Sequence, residues 1–504
     1  MTEPMNSIFK CRALRVTAAL NLLFVVGCAV GPNFKNPAAP NINCYTPMSL
    51  QGTASTPNVA GGAVQHFVDG LNIRAEWWTL FHSAPLNALI ELSLTNNPDL
   101  KAAQSALRVA NENVQAQRGI YFPSITAGFS ANRQKQSNLL APTPNYPVVP
   151  NEFQYNLFTP QVSVSYSPDV FGLNRRTMES LRAQENEVRF QLIATYVTLS
   201  SNVAVAAIQE ASLQAQVDAT RRLIAINSRM VHILRYQFAK GYAGRLDVAV
   251  QESQLAQVAA TLPPLCKQLA QQQDLLAVLA GKFPSQAPAE KFKLSTLRLP
   301  EELPVSLPSR LVKQRPDVRQ AQENLHAASA QIGVAIANRL PNITLTSDAG
   351  STALSIDRVF ASGTGFWGLG AAVMAPIFQG GQRLHIERAA KAAYVQAAEQ
   401  YRSTVLAAFQ NVADTLNALE QDAKMLKAAA NAAWATKVTL DLTRRQTQAG
   451  YAGELALLSA EQAYQQARIN LIQAQANRFS DTAASFEALG GGWWNRPDLT
   501  KDKQ

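Results

Sequence analysis

The sequence predicts an α+β membrane protein made by internal tandem duplication, each copy giving two membrane strands and one long helical hairpin. Three observations predict it. The tetrapeptide Gly-Tyr-Ala-Gly occurs at 241–244 and again at 450–453, an offset of 209 residues. The stretches 174–239 and 382–449 contain neither proline nor glycine. Four further segments alternate apolar residues with small or polar ones at a period of two.

The duplication extends well beyond the tetrapeptide. Asn202-Val203-Ala204 recurs as Asn411-Val412-Ala413, and Gly281 as Gly490, at the same offset of 209. Upstream the offset is 218, pairing Pro98-Asp99 with Pro316-Asp317 and Pro123 with Pro341. The first copy is therefore nine residues longer between Pro123 and Asn202. A period this long makes each copy a large substructure and not a solenoid turn.

In chain order, residues 1–27 read as an export signal: Lys10, Arg12 and Arg15 precede the apolar run 16–26, which is too short to span a bilayer. Val25-Val26-Gly27-Cys28 resembles a bacterial lipobox, making Cys28 the lipidation candidate, with an outer-membrane address because Ala29 follows it. One or two acyl chains anchor a protein without spanning. Residues 28–75 form a lipid-anchored tail. Cys44 in that tail and Cys266 in a helical stretch are expected to be free thiols. The first repeat, 76–281, places strands at about 121–133 and 157–168 and a helical hairpin over 174–280. Residues 282–314 link it to the second repeat, 315–490, with strands at about 341–351 and 366–378 and a hairpin over 382–489. A tail, 491–504, completes the chain.

The hairpins follow from periodicity. Val405, Phe409, Val412, Leu416, Leu419, Ala423 and Leu426 alternate steps of four and three, a coiled-coil seam, and Tyr196, Leu199, Val203 and Ala206 answer in the first copy. Gly-Tyr-Ala-Gly interrupts each helix, because glycine tolerates the left-handed conformation just past a helix end. Pro263-Pro264 is expected to bend the first return helix; the second return helix has no such pair. The strands follow from alternation: Ile125, Ala127 and Phe129; Val162, Val164 and Tyr166; Ile343 and Leu345; Leu369, Ala371 and Val373. Each such segment is a weak signal of a membrane β-strand. Open edges are not tolerated in lipid, so four strands per chain demand oligomerisation. Two chains would give a filled eight-stranded barrel and three a twelve-stranded one with a lumen.

The net charge of +10 falls to +8 once residues 1–27 are removed, and it is scattered, with no basic stripe or motif for nucleic acid. Catalytic and cofactor motifs are also missing. His66, His82, His232, His326 and His385 lack metal-ligand spacing. Gly363-Thr364-Gly365-Phe366-Trp367-Gly368 fits a dinucleotide pattern, but alternation and Pro376 follow it where a helix should, so it reads as a strand entry. No enzyme activity, cofactor or metal is expected.

These features together resemble the TolC/OprM family of outer-membrane factors, in the lipidated branch that serves RND-type efflux pumps. The residues that carry the resemblance are the lipobox with Gly31-Pro32, Trp77-Trp78, Phe81, Pro85-Leu86, Asn97-Pro98-Asp99-Leu100 and Arg315-Pro316-Asp317-Val318. Tyr121-Phe122-Pro123, Pro168-Asp169-Val170-Phe171-Gly172 and the ending Ala488-Leu489-Gly490-Gly491-Gly492-Trp493 complete the set. The resemblance implies a homotrimer with a twelve-stranded β-barrel, continuing into a periplasmic α-helical coiled-coil barrel with a mixed equatorial domain. It implies a passive outer-membrane channel for drugs or other small molecules, fed by a periplasmic adaptor and an inner-membrane RND transporter. The docking tips would be Gly241, Tyr242, Ala243 and Gly244, with Gly450, Tyr451, Ala452 and Gly453. A periplasmic gate would use Arg245 and Asp247 beside the first tip, and Glu454, Ala456 and Ser459 beside the second. The alternatives are a conduit for type I protein secretion, which genomic neighbours would reveal, and a coiled-coil envelope lipoprotein, which would need no barrel strands.

Overall fold

The computed structural model describes residues 29–42, 44–47, 52–135, 154–286 and 292–500. In chain order its regular elements are β1 (His66–Asp69), α1 (Ala84–Asn96), α2 (Pro98–Arg118), β2 (Ser124–Lys135), β3 (Gln154–Tyr166), α3 (Leu173–Ala239), α4 (Arg245–Leu279) and β4 (Glu302–Val305). They continue with α5 (Pro308–Gln314), α6 (Pro316–Ala337), β5 (Asn342–Ser351), β6 (Gly365–Met374), α7 (Gln382–Gln448), α8 (Glu454–Ala488) and α9 (Pro497–Thr500). The signal segment and Cys28 lie outside the described residues. The chain divides into two compact units, one of Met1–Asn36, Arg108–Asn186 and Glu323–Glu399, the other of Pro37–Leu107, Glu187–Gln322 and Gln400–Gln504.

The first unit contains an antiparallel sheet in the order β2-β3-β5-β6. Its register sorts the side chains into two faces. Ala127, Val162, Ala349 and Trp367 form one cross-strand row, and Ile125, Val164, Ser347 and Leu369 another on the same face. The intervening row is Thr126, Ser163, Asp348 and Gly368, where the Ser163 hydroxyl donates to Asp348 Oδ1 at 2.5 Å. The apolar face has no cover within the chain: Ile125 is 70%, Trp367 77% and Leu369 76% exposed. Among the described residues, β2 pairs only with β3 and β6 only with β5, so each leaves one edge open.

Prolines set the strand limits. The segments expected at 157–168 and 366–378 end at Tyr166 and Met374. Pro168 and Pro376 follow, and neither has an N–H to donate to a ladder. β2 begins at Ser124, because Gly119–Tyr121 forms a turn of 3-10 helix. The β3–β5 ladder runs from Gln161 opposite Gly350 to Tyr166 opposite Leu345; Pro160 lies just past its end. Gly365, in the glycine cluster that superficially fits a dinucleotide site, opens β6.

Where proline is absent the chain is unbroken helix. α3 and α7 are 67 residues each, and their return arms α4 and α8 are 35 each. At 1.5 Å per residue the long arms measure roughly 100 Å. α4 is one continuous helix that contains Pro263 and Pro264. Those two prolines leave the carbonyls of Ala259 and Ala260 without their usual helical donors.

In the second unit the heptad seam is the core. Tyr196, Leu199, Val203 and Ala206 are buried with Val405, Val412 and Leu419, and Phe409 and Leu416 pack on them. Trp77 stacks on Phe486 with centroids 5.1 Å apart and meets Trp78 edge-on at 5.9 Å, so the tryptophan pair is core. β1 pairs in parallel with β4, joining the N-terminal tail to the segment between the repeats.

The duplicated joints are built alike. Gly281 and Gly490, just past the ends of α4 and α8, adopt φ of 70° and 95°. A Cβ on Gly281 would lie 2.7 Å from the Asn96 carbonyl oxygen, and one on Gly490 2.7 Å from that of Gln314. Asn97 Nδ2 donates to the Leu279 carbonyl at 3.1 Å, while its Oδ1 accepts from the Asp99 and Leu100 amides. Its counterpart Arg315 donates to the Ala488 carbonyl at 3.0 Å. Each repeat thus closes its return arm on to the junction of two shorter helices, satisfying an orphan carbonyl there.

One buried charge cluster lies in this unit. Arg478 is fully buried and its Nη2 donates to Thr53 Oγ1 and the Ala63 carbonyl, both at 2.8 Å. Burial, and a hydrogen bond shared with Asp481, push Asp422 up to about 7, while Arg478 pulls it the other way.

Gly450→Ala meets open space at φ 78° and incurs only the left-handed backbone penalty, about 1–2 kcal/mol. Gly490→Ala adds a collision with Gln314 and is expected to lower the melting temperature by clearly more; equal shifts would contradict the close approach. For Asp422, folding favours the protonated carboxyl, so its contribution is complete below the unfolded value near 4, declines as pH rises and levels off above about 7. Melting temperature should therefore fall between pH 5 and 7 in the native chain, and Asp422→Asn should flatten that part of the profile.

Candidate functional site: the hairpin tips

Each tip is a helix end closed by its own backbone. Gly241 and Gly450 share φ 78°. The Tyr242 amide donates to the Gln237 carbonyl and the Tyr451 amide to that of Gln446, both at 2.8 Å. This six-to-one bond is the Schellman closure, and it needs a left-handed residue just before it, which glycine supplies without strain. The tyrosine side chains take no part in the closure and are 84% and 87% exposed. Ala243 and Ala452 are half-buried; Gly244 and Gly453 are extended N-cap residues for α4 and α8.

The flanking polar residues differ between the copies. Asp247 Oδ2 accepts the Gly244 amide at 2.9 Å, so this carboxylate caps its own helix. The equivalent position in the second copy is Ala456, which has no acceptor. Arg245, Glu454 and Ser459 are exposed on the first turns of the return helices. Glu454 is a carboxylate beside the positive end of α8.

Below the tips, ion pairs and an apolar cluster help to tie the arms together. Arg235 Nε and Nη2 reach Glu252 Oε1 at 2.8 and 2.6 Å, and Arg444 Nη2 reaches Glu461 Oε1 at 3.5 Å. These pairs are equivalent under the 209-residue offset, so both hairpins carry the same ionic clasp between outgoing and return arms. Ile226 and Met230 of α3 pack with Leu458 of α8, flanked by Ile233 and Leu455. The outgoing arm of the first copy is thus held against the return arm of the second. Sequence reading missed both features; the repeat offset applied to charged residues would have found the clasps.

Cys28 lies outside the described residues, but the segment after it is clamped within the first unit. Arg176 is buried, and its guanidinium donates to the Val30 carbonyl at 2.9 Å, the Gly31 carbonyl at 3.1 Å, Asn33 Oδ1 at 2.8 Å and Glu179 at 2.7 Å. A Cβ on Gly31 would come 2.4 Å from Gly333 Cα, so only glycine permits this approach. Cys44 and Cys266 are free thiols. Among the described residues, no three His, Cys, Asp or Glu side chains are grouped to hold a metal ion.

The chain matches the family described as outer membrane efflux protein over residues 89–282 and 307–491. It is 30% identical over 479 residues to the toluene efflux pump outer membrane protein TtgF of Pseudomonas putida, covering 93% of this chain and 95% of that one. It is 28% identical over 419 residues to the pyoverdine export outer membrane protein OpmQ of Pseudomonas putida, covering 83% and 88%. Among solved structures, the outer-membrane channel OprN superposes with a TM-score of 0.78 over 92% of this chain and all of its own, at 24% identity. With duplicated hairpins, an uncovered apolar sheet face and a family match over both copies, the chain belongs to the outer membrane efflux protein family.

Proposed function

We propose that this protein is the outer-membrane channel of a tripartite RND-type efflux system, conducting small molecules passively from a periplasmic adaptor and pump to the exterior. The observation that carries this reading is the sheet. Its four strands expose one apolar face and leave both edges open. Lipid accepts the face but not the edges, so β6 of one subunit joins β2 of the next. Three subunits make twelve strands and a lumen, which two cannot. The row Thr126, Ser163, Asp348 and Gly368 then faces water inside the pore.

Cys28 carries the acyl anchor, and Arg176 holds the chain just beyond it at the feet of the strands. The Gly-Tyr-Ala-Gly turns meet the adaptor: their glycines present bare backbone, and Tyr242 and Tyr451 are free to be buried on contact. Of the proposed gate positions, Asp247 is engaged in capping and Ala456 and Ser459 carry no charge, which leaves Arg245 and Glu454 as the charged ones. The substrates named for TtgF and OpmQ, toluene and pyoverdine, differ widely in polarity, which suits a conduit whose selectivity lies in the pump.

The acylated protein should cross-link as a trimer and give discrete conductance steps in planar bilayers; a monomer without conductance would contradict the reading. Cys28→Ser should abolish labelled palmitate incorporation. Gly241→Trp and Gly450→Trp should raise drug susceptibility several-fold at unchanged trimer levels, and unchanged susceptibility would remove the docking role from the tips.

A further inference from the structure

The two copies differ in charge at the feet of their strands. In the second copy Glu387 of α7 is nearly buried and accepts from Arg339 and from Lys391, the latter at 2.7 Å. These two contacts hold its carboxyl below the usual carboxylate range. Offsets of 209 and 218 place Met178, Arg182 and Tyr121 at the matching positions of the first copy. Methionine replaces the carboxylate, so the basic group there has no internal counter-charge.

The structure opens a cavity of about 710 Å³ at this place, lined by Arg118, Arg175, Arg182, Tyr121, Phe122 and Met178 among others. Glu179 also lines it, but that carboxylate is engaged by Arg176 at 2.7 Å and His326 at 3.1 Å. Arg175 lies 3.4 Å from Asp169. Arg118 Nη1 donates to Gln115 Oε1 at 3.2 Å, and among the described residues neither Arg118 nor Arg182 has a carboxylate partner. The rim includes Phe122, 71% exposed and two residues before β2 begins. An aromatic at the foot of a membrane strand sits at headgroup level, where arginine meets lipid phosphate.

We propose that the cavity bounded by Arg118, Arg175, Arg182, Tyr121 and Phe122 binds the phosphodiester headgroup of an anionic phospholipid in the periplasmic leaflet. The arginines supply the forked donors that match phosphate oxygens, and Phe122 and Met178 receive the start of the acyl region. The proposal rests on the sheet lying in the outer membrane, yet it concerns a site that conduction does not require.

The test uses the full acylated protein, purified and then exposed to phosphatidylglycerol, phosphatidylcholine or inorganic phosphate, with retained ligand counted by native mass spectrometry. Conductance is recorded in parallel, so a failure of the channel reading would show separately. Wild type should retain one phosphatidylglycerol per subunit in preference to phosphatidylcholine. Arg118→Gln with Arg182→Gln should weaken retention about tenfold or more with conductance unchanged. Met178→Glu, which restores the second copy's carboxylate, should do the same. Lys391→Gln, in the neutralised copy, should leave retention intact. Equal retention of both lipids, undiminished retention in the arginine variants, or displacement by equimolar inorganic phosphate would each overturn the proposal, the last by making free phosphate the ligand.

Discussion

Unsatisfied backbone at a sheet edge is the constraint from which the rest of this structure follows. β2 and β6 each offer a row of amide and carbonyl groups with no partner among the described residues. In water such edges invite aggregation, and in hydrocarbon each unpaired group costs several kcal/mol. The apolar face that carries both Trp367 and Ile125 makes water the wrong solvent there. On the proposed reading, closure between subunits removes both difficulties, and the fold of one chain is complete only within the assembly.

Duplication gives the molecule an internal control. Where the copies agree, the shared feature is a structural requirement: the glycines at 281 and 490 that approach a neighbouring carbonyl, the bonds from Asn97 and Arg315 to helix-end carbonyls, and the clasps Arg235–Glu252 and Arg444–Glu461. Where they differ, a local charge has been reassigned. Asp247 caps a helix that Ala456 leaves uncapped, and Glu387 neutralises a basic group that Met178 leaves open. The first kind of position explains why the hairpins stand, and the second is where function can differ between copies.

Much of the fold was legible in the sequence because it rests on short periods. The seam from Val405 to Leu426, the turns at Gly241 and Gly450 and the four alternating segments are local patterns, and the register places them as that pattern requires. Strand limits were less legible, since Pro168 and Pro376 act through a ladder whose partner the sequence does not name. That α4 continues as helix past Pro263-Pro264 is likewise visible only with coordinates. The charged features were the least legible. Position alone names Asp247 as a gate candidate, and its hydrogen bond to Gly244 appears only with coordinates. The Asp422, Asp481 and Arg478 cluster joins distant parts of two helices and has no signature in spacing.

On the proposed reading, several copies of this chain close their sheets into one water-filled pore in the outer membrane. Cysteine pairs placed across the facing edges of β2 and β6, in the acylated protein within native membranes, test it most directly. Oxidation should give disulfides linking three subunits into a ring, with single-channel conductance retained. Efficient β2-to-β6 cross-linking within a single chain, or no cross-linking with the strands accessible to water-soluble thiol reagents on both faces, would contradict it.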